Sequence, residues 1–161
     1  MLSEDAVREI EAARSEEESL RHALLTALRV VQRERRQVGS AEIAYIADLL
    51  DLSPAVVQGV ARFYDQITQT PTGQHVLSLC RGISCYLCGA DDVAAEVMEV
   101  LAVGRGGTTA DGQFTLRLVE CIGDCDHAPA AMVDDRFIGP VEGGAIRALT
   151  RAEGGSAWHR S

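Results

Sequence analysis

All five cysteines of this 161-residue chain fall between positions 80 and 125, and each of their two groups follows directly on a segment patterned as a strand. His75-Val76-Leu77-Ser78-Leu79 is apolar and β-branched and runs into Cys80, while Phe114-Thr115-Leu116-Arg117-Leu118-Val119 alternates apolar and polar residues and delivers the chain to Cys121. If the two groups act together, the fold is tightly constrained. If the strands are parallel neighbours joined by a crossover, their C-terminal ends lie side by side and two thiol loops face each other. The segment between them can supply that crossover. Asp91 to Val103 is amphipathic, with Val93, Ala94, Val97, Met98 and Leu101 on one face, and Gly104, Gly106 and Gly107 end it.

Beyond Cys125, Ala130 to Val133 and Arg136 to Ile138 predict a hairpin around Asp134-Asp135, and Val141 to Ala152 predict a last helix. The resulting β-α-β-β-α order is that of a compact two-layer unit of the thioredoxin type. Ahead of Pro71-Thr72-Gly73 the pattern is helical instead. Leu20, Ala23, Leu24, Ala27, Leu28 and Val31 form one stripe, and Arg29, Arg33, Arg35 and Arg36 give that helix a cationic end. Gly39 breaks it. Ser40 is the expected N-cap of a second helix carrying Ile43, Ile46, Ala47 and Leu50, and Ser53-Pro54 starts a third with Ala55, Val56, Gly59, Val60 and Phe63 as its inner face. A short helix near Glu4 to Arg14 precedes them. The expected architecture is α+β or α/β: an N-terminal helical bundle over residues 1–72, a thioredoxin-like domain over 73–153, and a tail over 154–161.

Composition narrows the function classes. Apolar residues make up 47% and charged residues 24%, the balance of a globular protein with a real core. A net charge of -9 and a pI near 4.8 repel nucleic acid and anionic membrane surfaces. The two helices joined at Asp51-Leu52 have a helix-turn-helix outline, but Pro54 to Gln66 offers only Arg62 as a cation, so packing helices are expected. No apolar run approaches the roughly 20 residues that cross a bilayer. Met1-Leu2-Ser3-Glu4-Asp5 is polar and acidic, unlike a signal peptide. The expected setting is cytoplasmic, either soluble or peripheral on the cytoplasmic side of a membrane complex. In a reducing cytosol, clustered cysteines point to metal or redox chemistry.

The thiol spacings admit several chemistries. Cys80 and Cys85 form C-x4-C, and Cys121 and Cys125 form C-x3-C, so four thiolates on two loops can hold zinc or a small iron-sulfur cluster. Gly123 lets its loop bend, and Gly82 stands in the corresponding place. A domain with its own apolar core does not require a structural zinc, which favours iron and sulfide. Cys85 and Cys88 make the C-x-x-C of a thiol-disulfide enzyme, which would leave the other three idle. Cys80, Cys85 and Cys88 copy the C-x4-C-x2-C of plant-type ferredoxins, which would leave one of Cys121 and Cys125 without a role. Economy pairs two with two. Cys88 is then a small, half-buried packing residue beside Gly89. Imidazole ligation in the Rieske manner needs two histidines, and His75, His22 and His159 are all poorly placed to join His127, which is expected near the thiols as a hydrogen-bond donor.

These motifs, embedded in "CRGISCYLCGA" and "TTADGQFTLRLVECIGDCDHAPAAMV", resemble the thioredoxin-like 2Fe-2S subunit of NADH dehydrogenases, the small E-type subunit of respiratory complex I. The family also occurs as the diaphorase part of NAD-reducing hydrogenases and the gamma subunit of NAD-dependent formate dehydrogenases. The stretch "GVARFYDQI" and the Asp-Gly turn before the second strand share the resemblance, which covers nearly the whole chain. It implies one 2Fe-2S cluster on Cys80, Cys85, Cys121 and Cys125. Cys88 falls where the family pattern does not demand cysteine. It further implies a one-electron carrier beside the FMN of an NADH-binding flavoprotein subunit, with further iron-sulfur subunits in the same complex and no acid or base catalyst in this chain. Backbone N–H groups near sulfur would then set the potential, with Gly82, Ser84, Gly123 and Asp126 placed to contribute. The N-terminal helices would clasp the partner. A zinc-stabilised interaction module and a Cys85/Cys88 oxidoreductase are the alternatives.

Overall fold

A computed structural model describes residues 2–16 and 20–141. The chain divides into two compact units on either side of Pro71–Thr72, each with an apolar core of its own.

The first unit carries α1 (Glu4–Glu16), α2 (Leu20–Arg35), α3 (Ser40–Leu50) and α4 (Pro54–Phe63). In α2 the residues Ala23, Leu24, Ala27, Leu28 and Val31 are buried at three- and four-residue steps, joined by Val30. They meet Ala6 and Ile10 of α1 and Ile43, Ile46, Ala47 and Leu50 of α3 in one cluster. Burying a Leu or Ile fully contributes about 1.5–3 kcal/mol, so this core outweighs the exposed Arg33–Glu9 ion pair between α1 and α2. No single helix among the described residues is long and apolar enough to cross a membrane.

Two helix details depart from the sequence expectation. Ser40 is the first residue of α3 and not its cap: Gly39 holds the cap position, and its N–H donates to Glu42 Oε2 at 3.0 Å, so a carboxylate reaching back does the capping. Ser53 does cap α4, accepting the Val56 N–H. That helix, however, buries Val57 and Ala61, while Ala55, Val56, Gly59 and Phe63 face outward and Phe63 is 80% exposed. Both stripes of α4 are apolar, so periodicity could not choose between them. Tertiary packing makes the choice, since Val57 and Ala61 join the core cluster with Ile43, Ile46 and Leu50 after the left-handed Asp51 (φ 54°) has closed α3.

The second unit is a four-stranded mixed sheet in the order β2-β1-β3-β4, with β1 spanning His75–Cys80, β2 Phe114–Val119, β3 Ala131–Val133 and β4 Arg136–Ile138. β1 and β2 are parallel, in register from His75↔Phe114 to Cys80↔Val119. β3 lies antiparallel on the other side of β1, and β4 antiparallel to β3. The connection from β1 to β2 contains α5 (Ile83–Leu87) and α6 (Ala90–Leu101). Ala94, Val97 and Leu101 of α6 pack with Leu77, Leu79, Leu116, Ala131 and Val133 of the sheet. Asp134, with φ 52°, turns the β3–β4 hairpin, and its carboxylate takes the Val76 N–H at 3.0 Å and meets His75 Nδ1 at 2.8 Å. The hairpin is thereby pinned to the start of β1. The helix expected over Val141 to Ala152 and the tail from Gly154 lie outside the described residues, apart from Val141.

Candidate metal centre

Register places the two cysteine loops. Because Cys80 pairs with Val119, the chain leaves β1 and β2 at the same end of the sheet, and Cys121 follows β2 after a single intervening residue, Glu120. Gly82 shows how closely the loops approach: a Cβ there would meet Cys121 Cα and Cβ at 3.4 Å and Cys80 Sγ at 3.5 Å. Its φ is -57°, so no left-handed turn requires a glycine at position 82. Gly123 has the other role, with φ 90° bending the chain between Cys121 and Cys125. The Sγ atoms of those two cysteines stand 3.6 Å apart.

The two pairs sit in different surroundings. Cys80 and Cys85 are 2% and 1% exposed, whereas Cys121 and Cys125 are exposed. Cys80 Sγ accepts the Gly82 N–H at 3.4 Å, and Cys85 Sγ accepts the Ala130 N–H at 3.4 Å. Burial pushes the Cys85 thiol up; the Ala130 N–H opposes this, and the neighbouring sulfurs of Cys80 and Cys125 add to it. The Cys125 thiol is raised chiefly by its hydrogen bond with Cys121, opposed by the Ser84 hydroxyl. Each of these thiols therefore feels sulfurs of both loops, and a ligand that binds them releases protons. All five cysteines are free thiols.

Four converging sulfurs with backbone donors aimed at two of them form a soft donor set suited to a 2Fe-2S cluster, and one that zinc could also use. The C-x-x-C reading fares worse. A reactive dithiol needs an accessible thiol with a lowered pKa; Cys85 lies inside α5, buried, with its pKa raised. Cys88 also departs from expectation, being exposed and not half-buried. It caps the C-terminus of α5, a helix the sequence reading missed, and its N–H is held by the carbonyls of Ser84 and Cys85.

His127 Nδ1 lies 2.8 Å from Asp124 Oδ1 and 3.4 Å from Asp126 Oδ1, in a turn spanning Cys125–His127. Its imidazole is thus turned to carboxylates. His75 stands at the far end of β1, paired with Asp134, so the two histidines do not converge. The side chain of His22 and all of His159 lie outside the described residues. Of the residues expected to shape the sulfur environment, Gly82 contributes an N–H, Ser84 a hydroxyl and Gly123 a bend. Ala130 was missed, and only the Pro-marked loop ahead of β3 could have hinted at it.

Comparison with known proteins bears on this geometry. A family model described as thioredoxin-like [2Fe-2S] ferredoxin matches residues 9–152. The E-type subunit of NADH-quinone oxidoreductase from Pseudomonas aeruginosa is 40% identical over 152 residues, covering 94% of this chain and 92% of the relative. The protein of the same name from Escherichia coli strain K12 is 39% identical over 118 residues, covering 73% and 71%. Among solved structures, an NAD+-reducing [NiFe]-hydrogenase in the air-oxidised state superposes with a TM-score of 0.67 at 25% identity. That match covers 78% of this chain but 22% of the hydrogenase chain, so this chain corresponds to about a fifth of it.

Proposed function

This chain belongs to the thioredoxin-like [2Fe-2S] ferredoxin family, and from that membership we propose that it is the one-electron carrier subunit of an NAD(H)-linked oxidoreductase complex, holding a single 2Fe-2S cluster on Cys80, Cys85, Cys121 and Cys125. The observation that carries the ligand set is the meeting of a buried thiol pair and an exposed one at the shared end of β1 and β2. A bound 2Fe-2S cluster supplies one-electron transfer.

The protein's own residues do the rest. Four thiolates bind, the Gly82 and Ala130 amides compensate negative charge on the inner pair, and the cores of β1 and α6 hold the inner loop still. Nothing here calls for an acid or base catalyst, since no bond to hydrogen is made or broken at the site. The partners we assign are a flavoprotein subunit that binds FMN and NADH and further iron-sulfur subunits of the same assembly, in the cytoplasm or on its face of a membrane complex.

The test is spectroscopic. Protein purified without oxygen should be brown, with visible bands that bleach with dithionite and an electron paramagnetic resonance signal on reduction. A colourless protein containing zinc would overturn the reading. Co-purification then sorts the parent complex: a molybdenum subunit means formate dehydrogenase, and membrane subunits mean NADH dehydrogenase.

A further inference from the structure

We infer that Gly139, remote in sequence from every cysteine, is a positioning residue that sets the reduction potential of the site by fixing the Ala130 N–H on Cys85; the inference rests on the cluster reading above. Ala130 is bonded to both inner cysteines, to the thiol of one and the backbone of the other. Its N–H donates to Cys85 Sγ at 3.4 Å, and its carbonyl accepts the Cys80 N–H at 3.0 Å. The residue is buried, so water cannot replace either bond.

The segment 127–130 is held in place by the residues that follow β4. Val141 N–H donates to the Pro129 carbonyl at 2.7 Å. Two residues earlier, Gly139 packs so tightly that a Cβ on it would lie 2.6 Å from the His127 carbonyl oxygen, 3.2 Å from His127 Cβ and 3.5 Å from Ala130 Cα. The nearest of these is backbone and cannot swing aside as a side-chain tip can. A side chain at position 139 therefore forces the chain at 139 and the segment 127–130 apart, and a shift of the latter carries the donor on Cys85 with it. An N–H···S bond stabilises the reduced, more negative cluster, so lengthening it lowers the potential. The nearest neighbours of Gly139 are His127 and Ala130 and not a sulfur, so it acts only through the peptide it seats.

The experiment compares the full chain with Gly139→Ala and, as a control, with Gly104→Ala, where an added Cβ meets nothing within 4 Å. Midpoint potentials are read by dye-mediated titration followed by paramagnetic resonance. The expected result is unchanged iron content, a lower potential and altered g-values for Gly139→Ala, and wild-type values for the control. A folded, iron-loaded Gly139→Ala protein with the wild-type potential and spectrum overturns the inference while leaving the cluster reading standing. A wild-type chain without a 2Fe-2S signal sinks both. Should Gly139→Ala not fold, wild-type protein labelled with 15N-alanine decides: pulsed resonance of the reduced cluster must detect a coupled alanine nitrogen, and its absence overturns the role given to Ala130.

Discussion

Cys80 and Cys85 lie buried, one at a strand end and one inside a short helix, each under a backbone donor. Cys121 and Cys125 stand exposed on a loop that bends at Gly123. The contrast assigns the two halves different tasks. The inner half is seated in the packed interior at the end of β1 and in α5; the outer half stands on a loop in contact with water. Losing a buried ligand leaves a gap that solvent cannot fill, whereas losing an exposed one leaves room for a water or a serine oxygen.

Serine substitution breaks this comparison most directly. Cys80→Ser or Cys85→Ser should weaken iron binding by about tenfold or more, read as iron lost to a competing chelator, since even changes outside the ligand shell commonly cost that much in affinity. Cys121→Ser or Cys125→Ser should keep a coloured cluster with shifted visible bands. Equal loss at all four positions would mean that burial does not separate the pairs.

The glycines come next. Gly123→Ala must place an alanine at φ 90° and should cost about 1–2 kcal/mol, visible as a lower melting temperature of the cluster-free protein. Gly82→Ala meets only ordinary contacts at 3.4 Å and should stay within about 0.5 kcal/mol of wild type. A reversed order would contradict the division of labour between these two residues. Removing the iron should be felt unevenly too: amide exchange should quicken across 121–125 and remain slow at Cys80 and Ala130, whose bonds are buried. The smallest effect belongs to Cys88→Ser, which should keep its colour and lie within about 0.5 kcal/mol of wild type. Loss of colour there would bring Cys88 into the ligand set.

What the sequence could convey follows from where the physics is local. Alternation in Phe114–Val119 and the apolar run before Cys80 mark strands because their pattern repeats over a few residues, and the parallel pairing follows once both must deliver cysteines to one place. The α4 inner face was misjudged because Val56, Val57, Val60, Ala61 and Phe63 put apolar groups on two sides, and only tertiary contact selects one. α5 was missed because five residues carry no period. Ala130 and Gly139 were invisible for a different reason: their roles lie in a peptide N–H and an absent Cβ, neither of which a side-chain pattern records.

The parallel register of β1 and β2 has a last consequence, for how such a chain can change length. The separation of the two loops is set by one inter-strand spacing, about 4.8 Å, and not by the chain that runs through α6 between them. Residues 106–109 bond alongside β2 and are committed to it. The turn at Ala110–Gly112 beyond them holds no thiol, although its Gly112 carbonyl accepts the Gln74 N–H at 3.0 Å. Residues could be added at Ala110, at the end of the sheet opposite the cysteines, and the four sulfurs would keep their places as long as the Gln74–Gly112 bond is kept.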